Sequence, residues 1–583
     1  MSALKKLHSA KAIADVAEIL GFQKKSLTFI LYAQSDSLKY KEFDIPKRSG
    51  GVRRISAPQN RLKLLQRRLA DLLQDCLDEI DNIAYPKSNA SDFYQVSHGF
   101  RRRLSIVTNA RKHRNRRYVF NIDLVDFFDS INFGRVRGFF IKDRRFHLDP
   151  KVATIFAQIA CFKDGLPQGS PCSPIISNLI GSILDVHMSR LAARSGCMYT
   201  RYADDLTFST NKKCFPESIA KQDNGTNNVW SPGSEILQLI NHCGFSINSR
   251  KTRMQYNRSR QEVTGLVVNK KVNVRHEYRH NTRAMVYRLC REGKFLLPGY
   301  VKDETNSYSL MMKPGSLNQL HGRLGFIDSI DQYNAEINSK LTGAEIKSKE
   351  TIYRRFLFYK EFYAAAKPVL VCEGWTDYVY IENALRRLSS RYPSLVSLGT
   401  DGKSNFAIKR FKYSEGRTGK MLGITGGAPA LGEFMKAYKE EFKRFSSAPG
   451  GMKEPVIVLL DNDDAGNKII RLVKNVFGLK DARNTDPYIH VHRNLYLVLT
   501  PLQDDKSKSK IEDLFDSSTL EIKIEGKIFD PSNGQVKAET YSKAVFARKV
   551  VEEMTSQISF DGFVPLLDRI AKVIEIHYAQ RKR

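Results

Sequence analysis

The sequence predicts two successive folds, an α+β N-terminal part and an α/β C-terminal part with a mostly parallel sheet. Between residues 118 and 270, short apolar strands alternate with helices. From residue 367, two segments each run from an apolar strand through an acidic turn into a helix, KPVLVCEGWTDYVYIENALRRL and EPVIVLLDNDDAGNKIIRLVKNVF. This order is typical of parallel strands covered by helices. A polar, helix-prone connector is expected between the two parts, at 331–366.

The composition is that of a globular protein that binds polyanions. The 583 residues are 42% hydrophobic and 27% charged, with a net charge of +32. Such a charge favours contact with a phosphate backbone, because binding releases the counterions of the nucleic acid. Eight basic residues and no acidic ones lie between Arg101 and Arg117, which suits a long anionic ligand. A basic, solvated surface is the alternative on charge alone.

Cysteine usage and hydropathy indicate where the protein works. The eight cysteines are scattered without a CxxC pair, which argues against a zinc ribbon or a disulfide framework and fits a reducing cytoplasm. The N-terminal segment MSALKKLHSAKAIADVAEIL lacks the continuous apolar core of a signal peptide. No apolar run approaches the ~20 residues that span a bilayer. We therefore expect a cytoplasmic protein without a membrane partner.

Three aspartates form the first candidate site. Asp204 and Asp205 belong to YADD, which stands between two β-prone runs, so both carboxylates are expected at the tip of a hairpin. Adjacent aspartates repel each other unless solvent or a cation separates them, and an ordinary acidic turn is the alternative. Asp123 lies in the apolar strand YVFNIDLVDFF, where an unpaired charge would be costly. Two Mg²⁺ ions would explain all three carboxylates and would catalyse an in-line phosphoryl transfer.

The order of the motifs resembles the palm of reverse transcriptases. Between the strand of Asp123 and YADD stands LPQGSPCSPIISN, a turn before a helix. The NAxxH pattern at 109–113 and the VTG pattern at 263–265 are similar to signatures of retron reverse transcriptases, as are SHGFRRRLSI and IPKRSGGVRRISAP in the fingers. The resemblance covers about 10–330. It implies a right-hand polymerase at 1–330, with fingers at about 1–117, palm at about 118–270 and thumb at about 271–330.

The resemblance also implies roles for single residues. Mg²⁺, with Mn²⁺ as an alternative, would be held by Asp123, Asp204 and Asp205. The dNTP would be contacted by Arg53, with Lys47 as a second candidate, by Gln168, Lys251 and Phe128, the last as a steric gate against a ribose 2′-hydroxyl. The retron signature residues, which we assign to RNA binding, are Asn109, His113, Val263, Thr264 and Gly265. A core position for Phe128 and a solvated surface for the basic residues are the alternatives.

Retron polymerases copy part of their own structured noncoding RNA into RNA-linked multicopy single-stranded DNA (msDNA), starting from a guanosine 2′-hydroxyl. The resemblance implies this activity, with the cognate RNA, the msDNA and dNTPs as partners. Folded RNA is read through its shape, phosphates and 2′-hydroxyls, which suits the basic segment at 270–330. Two alternatives stay open: a group II intron-like or other reverse transcriptase, and an RNA-binding scaffold in which the C-terminal domain alone is active.

Four further carboxylates form the second candidate site. Glu373 stands at the end of one apolar strand and Asp377 follows it, while Asp461 and Asp463 stand at the end of another. Ligands gather at the carboxyl ends of strands in doubly wound sheets, so these side chains are expected to share one pocket suited to Mg²⁺. Acidic loops without a function also follow strands, and each half of the pattern is therefore ambiguous by itself.

Together, the ExxxD and DxDxxG patterns resemble the Toprim domain over about 367–520, and CEGWTDYVYIENAL with IEDLF resembles the OLD-type nucleases. The resemblance implies phosphodiester hydrolysis of a nucleic acid. Glu373 would be a general acid–base or a metal ligand, and Asp377, Asp461 and Asp463 would be ligands. Glu512 or Asp513 would assist a second metal, with a plain acidic turn as the favoured alternative.

We therefore expect a Toprim domain with a C-terminal helical extension at 367–583. A nuclease joined to a polymerase in one chain requires control. The hypothesis is an anti-phage defence protein of the toxin–antitoxin kind, in which the msDNA restrains the nuclease. The sequence is also compatible with a homo-oligomer.

Overall fold

The structure is a computed structural model, and it describes residues 2–47, 50–84, 95–163, 165–222, 229–302, 308–337, 343–399, 403–411, 417–445, 450–503, 506–532 and 538–582. None of the helices in these segments combines the length and the apolar character that crossing a lipid bilayer requires. The chain divides into two compact units. The first comprises Met1–Arg279, Tyr300–Leu310 and Ser329–Ser339, and the second comprises His280–Gly299, Met311–Asp328 and Lys340–Arg583.

The first unit is mixed α and β. Its helices are Ala3–Ser9, Ile13–Ile19, Lys24–Thr28, Asp36–Lys39, Asn60–Ala84, Ile106–Lys112, Phe133–Lys142, Pro150–Ala160, Ser173–Ser195 and Ser234–His242, with a π-helical turn at Phe29–Ala33. Its strands are Tyr40–Pro46, Val52–Pro58, Tyr118–Asp123, Met198–Tyr202, Asp205–Thr210, Ala220–Gln222, Trp230–Pro232, Arg253–Tyr256, Glu262–Val263 and Leu266–Val267. Four further elements each contain a boundary between the two units. They are the helices His276–Glu292 and Leu317–Ile337 and the strands Leu296–Lys302 and Tyr308–Pro314.

A four-stranded antiparallel sheet lies at the centre of the first unit. Its strand order is Met198–Tyr202, Asp205–Thr210, Tyr118–Asp123 and Arg253–Tyr256. We name the first two strands and their turn the YADD hairpin. The third strand is central because its apolar residues Val119, Phe120 and Ile122 are buried and suit a pleated surface covered on both sides. Its last residue, Asp123, therefore comes to lie at the edge of a rigid core.

A second hairpin stands close to the PQG turn. It pairs Tyr40–Pro46 with Val52–Pro58 in antiparallel register. At its tip, Gly50 and Gly51 have φ angles of 87° and 75°, a backbone conformation that glycine adopts at no steric cost. The main-chain N–H of Ser56 donates a hydrogen bond of 2.8 Å to the carbonyl oxygen of Gln168. This bond holds the hairpin against the turn that carries Gln168.

The second unit is built around a five-stranded sheet. Its strand order is Lys409–Arg410, Val369–Val371, Val456–Leu460, Leu495–Leu499 and Ile489–His492; the first four are parallel and the last is antiparallel. The other strands of this unit are Val396–Leu398, Ser404–Phe406, Ile528–Phe529 and Thr540–Tyr541. Its remaining helical segments are Gly343–Phe358, Tyr359–Tyr363, Trp375–Arg387, Arg417–Leu422, Ala428–Phe442, Asp464–Phe477, Ile511–Leu514, Ser517–Leu520, Lys543–Val545, Phe546–Glu552, Asp561–Phe563 and Val564–Lys582.

Both faces of the five-stranded sheet are covered, because alternate residues of each strand enter different hydrophobic cores. Val456 and Val458 belong to one core together with the helix Ala428–Phe442, whereas Ile457 belongs to another together with the helix Val564–Lys582. All five residues of the strand Val456–Leu460 are buried. This explains the uninterrupted apolar runs in the sequence, which are typical of strands buried on both faces.

The contacts assign part of the predicted thumb to the second unit. Residues 280–299 and 311–328 cluster with the C-terminal sheet, although they fall within 271–330. The helix Gly343–Phe358 lies in the predicted connector at 331–366, of which residues 338–342 lie outside the described residues. The domain limits drawn from the sequence remain predictions.

Candidate active sites

The three aspartates of the first site meet at one end of the four-stranded sheet. The antiparallel register sets Asp123 directly opposite Asp205. Asp204 stands in the turn of the YADD hairpin, and its carbonyl oxygen accepts a hydrogen bond of 3.1 Å from the N–H of Leu124. The other turn residue, Ala203, has a φ of 56°, as a two-residue hairpin connection requires. The backbone of the sheet thus fixes the positions of all three carboxylates.

The site holds more negative than positive charge. Burial raises the pKa of Asp204, and the charge of Asp123 raises it further. Burial, followed by the charges of Asp204 and Asp123, raises the pKa of Asp205 to about 7. The ammonium of Lys251 lies 2.9 Å from Oδ2 of Asp123, and the amide of Asn248 donates to Oδ1 at 3.1 Å. One lysine in contact with the cluster does not compensate three crowded carboxylates.

This donor set fits divalent Mg²⁺. Carboxylate oxygens are hard ligands, and the raised pKa values reflect burial first and the repulsion between neighbouring carboxylates second, a repulsion that a divalent cation would relieve. In the arrangement of the described residues, no three acidic, cysteine or histidine side chains converge tightly enough to enclose an ion. Lys251 instead pairs with one oxygen of Asp123. Metal binding at this site would therefore require Lys251 and the aspartates to rearrange.

Mg²⁺ binding at the first site is expected to strengthen as the pH rises through neutrality. The pKa of Asp205 is raised from 3.8 to about 7, so the folded state retains a proton that the unfolded chain loses, and the metal-free protein loses stability as the pH rises between these two values. A metal ion binds only the ionised form. The Mg²⁺ concentration that gives half of the maximal thermal stabilisation should therefore decrease as the pH is raised from about 6 to about 8.

The measurement is thermal denaturation in an Asp377→Asn, Asp461→Asn background, which removes the two carboxylates of the second site that titrate in the same pH range. Asp205→Asn in the same background should flatten the pH dependence, because an amide does not titrate in this range. A Mg²⁺ midpoint that stays constant with pH would contradict the electrostatic account of the cluster.

The candidate dNTP contacts belong to the second hairpin and the PQG turn. Arg53 is exposed on the second hairpin, and its charge counteracts part of the rise in the pKa of Asp204. Burial raises the pKa of Asp129, and Gln168 and Lys47 counteract part of this rise. Gln168 is half-buried. Contact between these side chains and a dNTP remains a prediction.

Phe128 is half-buried and belongs to a chain of aromatic rings. Its ring centroid lies 6.1 Å from that of Phe100, which in turn lies 6.5 Å from the ring of Tyr202 in the YADD hairpin. Phe128 also packs against the core through Phe127, at 5.6 Å. The ring therefore contacts the core and also belongs to the aromatic chain that reaches the YADD hairpin, so a core position and a role as steric gate are compatible for Phe128.

The NAxxH signature contacts both strands of the YADD hairpin. His113 is fully buried; its Nδ1 lies 2.7 Å from Oγ of Ser209 and its Nε2 lies 2.7 Å from Oγ1 of Thr200. Burial lowers the pKa of His113 to about 3, which keeps the ring neutral. Asn109 is also buried, at 1% exposure. Both side chains thus face the protein interior, and contact between them and RNA remains a prediction.

The VTG signature packs on the helix that carries NAxxH. The hydroxyl of Thr264 donates a hydrogen bond of 3.2 Å to the carbonyl oxygen of Ile106, the first residue of that helix. Thr264 and Gly265 have φ angles of 48° and 81° and form the turn of a short hairpin, whereas Val263 is buried. The structure therefore joins two signatures that are far apart in the sequence. A role of these three residues in RNA binding likewise remains a prediction.

A buried ion pair that was not predicted from the sequence supports the YADD hairpin. Arg201 is fully buried; its Nε lies 2.8 Å from Oδ1 of Asp185 and its Nη2 lies 2.7 Å from Oδ2. Its Nη1 donates to the carbonyl oxygen of Ala203 in the turn, at 3.2 Å. The sequence contained one indication of this ion pair: an arginine in a β-prone strand next to YADD, which requires a charged partner if it is buried.

The SHGF segment also supports the YADD hairpin. The N–H of His98 donates to the carbonyl oxygen of Arg201 at 2.8 Å, and the N–H of Arg201 donates to Val96 at 2.8 Å. A Cβ added to Gly99 would lie 2.6 Å from the backbone nitrogen of Ala203. Only glycine allows this approach without displacing the turn.

Gly99→Ala is therefore expected to reduce DNA synthesis by an order of magnitude or more, because a displacement of the aspartates by a fraction of an ångström is costly in catalysis. Gly138→Ala is the matched control: a Cβ at Gly138 meets no atom within 4 Å, and the exchange lies within a helix. Primer-extension rates and thermal denaturation of both variants measure the effect. Full activity of a folded Gly99→Ala protein would contradict the bracing role.

The second site lies at the carboxyl ends of two parallel strands. Glu373 follows the strand Val369–Val371, and its Oε1 accepts a hydrogen bond of 3.2 Å from the N–H of Ala428. Burial raises the pKa of Glu373, and the charge of Asp463 adds to the rise. Asp463 caps the helix Asp464–Phe477, where its Oδ1 accepts the N–H groups of the second and third helical residues.

The other two predicted carboxylates belong to the same cluster. Asp377 accepts the N–H of Gly374 at 2.8 Å, and burial, then the charges of Glu512 and Glu373, raise its pKa to about 7. Asp461 accepts the N–H of Ile511 at 2.8 Å. Burial, then the charges of Asp377 and Glu512, raise the pKa of Asp461 to about 8.

Glu512 is part of this cluster and not a plain acidic turn, which was the favoured reading of IEDLF. It is 2% exposed, and its charge raises the pKa values of Asp377 and Asp461. The ammonium of Lys543 lies 3.0 Å from its Oε2. Asp513, in contrast, accepts the N–H of Lys510 at 2.8 Å and closes its own helical turn. The acidic oxygens again form a donor set that suits Mg²⁺.

Comparison with known proteins identifies the first unit. The carboxylate of Asp123 opposite the YADD hairpin is the arrangement that the resemblance implies, and residues 45–276 match the family "Reverse transcriptase (RNA-dependent DNA polymerase)". The chain is 33% identical over 329 residues to the retron Mx65 reverse transcriptase of Myxococcus xanthus, over 53% of this chain and 70% of that protein. It is 30% identical over 278 residues to the retron Ec86 reverse transcriptase of Escherichia coli, over 47% and 77%.

The chain belongs to the retron reverse transcriptases and is an RNA-directed DNA polymerase. This decides against the group II intron-like alternative. Reverse transcriptases use divalent ions such as Mg²⁺ at the polymerase site, in agreement with the donor set around Asp123. Among solved structures, telomerase of Candida albicans with a TWJ fragment of telomeric RNA is similar over 70% of this chain and 64% of that chain, at 9% identity and a TM-score of 0.30, which is too low to support a conclusion. The family match ends at residue 276, before the second site.

Proposed function

We propose that this protein copies its own structured noncoding RNA into RNA-linked msDNA and carries a Toprim nuclease that the msDNA restrains. The convergence of Asp123, Asp204 and Asp205 in a retron-family chain carries the first half of the proposal. The convergence of carboxylates at the ends of parallel strands carries the second half. An RNA-binding scaffold with an inactive polymerase is disfavoured, because all three polymerase carboxylates are present.

In the polymerase, the bound Mg²⁺ ions would activate the primer hydroxyl and stabilise the leaving pyrophosphate. Asp123, Asp204 and Asp205 would hold them, and Lys251 would release Asp123 as they bind. Arg53 would meet the triphosphate from the hairpin, supported by its electrostatic effect on Asp204. Gln168 would contact the dNTP from the PQG turn. Phe128 would exclude the ribose 2′-hydroxyl, supported by its position in the aromatic chain that reaches the hairpin.

In the C-terminal domain, four parallel strands with helices on both faces are consistent with a Toprim fold at 367–583. Mg²⁺ would be held by Asp377, Asp461 and Asp463, with Glu373 as a ligand or a general acid–base. The raised pKa of Glu373 suits a group that takes up and releases a proton during the reaction. The reaction would be hydrolysis of a phosphodiester in a nucleic acid.

The regulatory proposal rests on the fusion itself. A nuclease that shares a chain with a polymerase is made wherever the polymerase is made, so its activity has to be held back until it is needed. The msDNA is the product that the chain makes on site. The resemblance to retrons extends the proposal to anti-phage defence, with the nuclease as toxin and the msDNA as antidote. A homo-oligomer is compatible with it.

The experiment that tests the polymerase half is co-expression of the gene with the DNA just upstream of it. We expect a short, abundant single-stranded DNA that carries covalently linked RNA and shortens upon RNase treatment. Expression with a scrambled upstream segment is the control. Absence of such DNA from cells that contain the folded protein and the transcribed upstream RNA would refute the retron function.

A further inference from the structure

An exposed tryptophan stands next to the second site. Trp375 is the first residue of the helix Trp375–Arg387, between the catalytic candidates Glu373 and Asp377. It is 44% exposed, although the neighbouring Thr376 and Tyr378 are buried. Single exposed apolar residues are common on protein surfaces, so exposure by itself does not identify a site. The position of the ring, two residues from two carboxylates of the cluster, is what separates it from an ordinary surface residue.

A basic side chain lies against the same ring. The guanidinium carbon of Arg548 lies 5.4 Å from the ring centroid of Trp375, within cation–π range. Arg548 is exposed and belongs to the π-helical segment Phe546–Glu552. The same stretch of chain supplies Lys543, which contacts Glu512 in the acidic cluster. Both members of the Trp–Arg pair are therefore carried by segments that also build the site.

The pair has the chemistry of a platform for an unpaired base. A nucleobase of any kind stacks on an indole ring, and an adjacent arginine attracts the phosphate that the base carries. Bases within a duplex are already stacked on their neighbours and do not offer a free face. A platform beside the scissile position would therefore admit a single strand and exclude an intact duplex.

We propose that Trp375 and Arg548 form a stacking subsite for one unpaired nucleobase, and that the substrate of the second site is a single-stranded nucleic acid. This inference rests on the proposed nuclease function and names its substrate class. Stacking reads the π-face and not the hydrogen-bonding edge of a base, so the subsite accepts all four bases. Single-stranded DNA and single-stranded RNA both offer this chemistry.

Tryptophan fluorescence tests the proposal in the full-length protein. The chain has two tryptophans, and the difference between the parent protein and its Trp375→Phe variant isolates the signal of Trp375 from that of Trp230. Both proteins carry Glu373→Gln, which prevents cleavage during the titration. The probes are a short single-stranded DNA, the same sequence as RNA, the blunt duplex, and a single strand of equal charge with abasic residues.

We expect single strands to quench the Trp375 signal and the duplex and the abasic strand to leave it unchanged. Comparison of the DNA probe with the RNA probe shows which of the two nucleic acids the subsite prefers. In the cleavage assay with Glu373 intact, Trp375→Leu should raise the KM for single strands by about tenfold or more, Trp375→Phe by less, and Arg548→Met by an intermediate factor. Nucleic acid bound to the polymerase does not stack on Trp375 and adds nothing to the difference signal.

Equal quenching by the abasic strand, quenching by the duplex, or no quenching at concentrations that saturate the protein would each overturn the proposal. Cleavage is measured separately, with Glu373 intact. Quenching without cleavage would mean that the subsite is real and the nuclease function is wrong. Cleavage of duplex as fast as of single strands would mean that the nuclease function is right and the subsite is wrong.

Discussion

The double variant Asp204→Asn, Asp205→Asn is expected to lose nearly all RNA-directed DNA synthesis. Both residues stand with Asp123 around the place where the metal ions would bind, and amides neither supply the charge nor bind Mg²⁺ comparably. Loss of about 4 kcal/mol of transition-state stabilisation lowers the rate by roughly a thousandfold. The measurement is dNTP incorporation by the purified protein on its cognate RNA, with Mg²⁺ and separately with Mn²⁺.

Asp71→Asn is the matched control, because Asp71 is an exposed carboxylate on the helix Asn60–Ala84. The double variant should fold at least as well as the parent protein. The pKa values of Asp204 and Asp205 are raised, so their charges destabilise the metal-free protein above about pH 7, and neutral amides relieve this repulsion. A variant that still extends the primer would refute the assignment of the polymerase site.

Glu373→Gln is expected to abolish the activity of the second site and to leave DNA synthesis unchanged. A glutamine still accepts the N–H of Ala428, so the local fold is retained while the exchangeable proton and the ligand charge are lost. Removal of a general acid–base costs about 10²- to 10⁴-fold in rate. Two readouts separate the domains: growth inhibition under triggering conditions, and the amount of msDNA in the same cells.

Glu433→Gln provides the control for this exchange. Glu433 is exposed on the helix Ala428–Phe442 and pairs only with Lys436 at 2.7 Å among the described contacts, a surface pair of small energetic value. We expect it to leave both readouts unchanged. If Glu373→Gln removes the msDNA as well as the growth inhibition, the two activities are not separable and the regulatory proposal fails.

The carboxylates of both sites were predictable from the sequence because each lies at the end of a short, strongly patterned segment. When an apolar strand is followed by an acidic turn, the strand is buried in the sheet and the turn is left at its end. Pairing with a neighbouring strand then brings the two strand ends together. Asp123 and Asp205 were expected to meet because a shared metal site and the resemblance to the reverse transcriptase palm require it, and they stand opposite each other. The same argument applies to Glu373 and Asp461, which share one cluster.

The supporting residues could not be predicted, because they depend on contacts between distant segments. The partner of Arg201 is Asp185, sixteen positions earlier on a helix, and nothing in the local pattern names it. Glu512 was read as a surface turn because its burial results from the packing of a segment more than fifty residues beyond Asp461. The partner of Glu512, Lys543, comes from yet another segment. Tertiary packing, and not local propensity, decides these cases.

The separate cores of the two units have a genetic consequence. The hydrophobic core around the polymerase sheet contains residues between Leu4 and Phe245, whereas the two cores of the five-stranded sheet contain residues between Val286 and Ile574. Among the described residues these cores have no member in common. A substitution in one core therefore removes no member of the other core. Core substitutions after residue 366, beyond the predicted thumb, are therefore expected to disable the C-terminal site and to leave DNA synthesis intact, a route by which a lineage can lose one activity and keep the other.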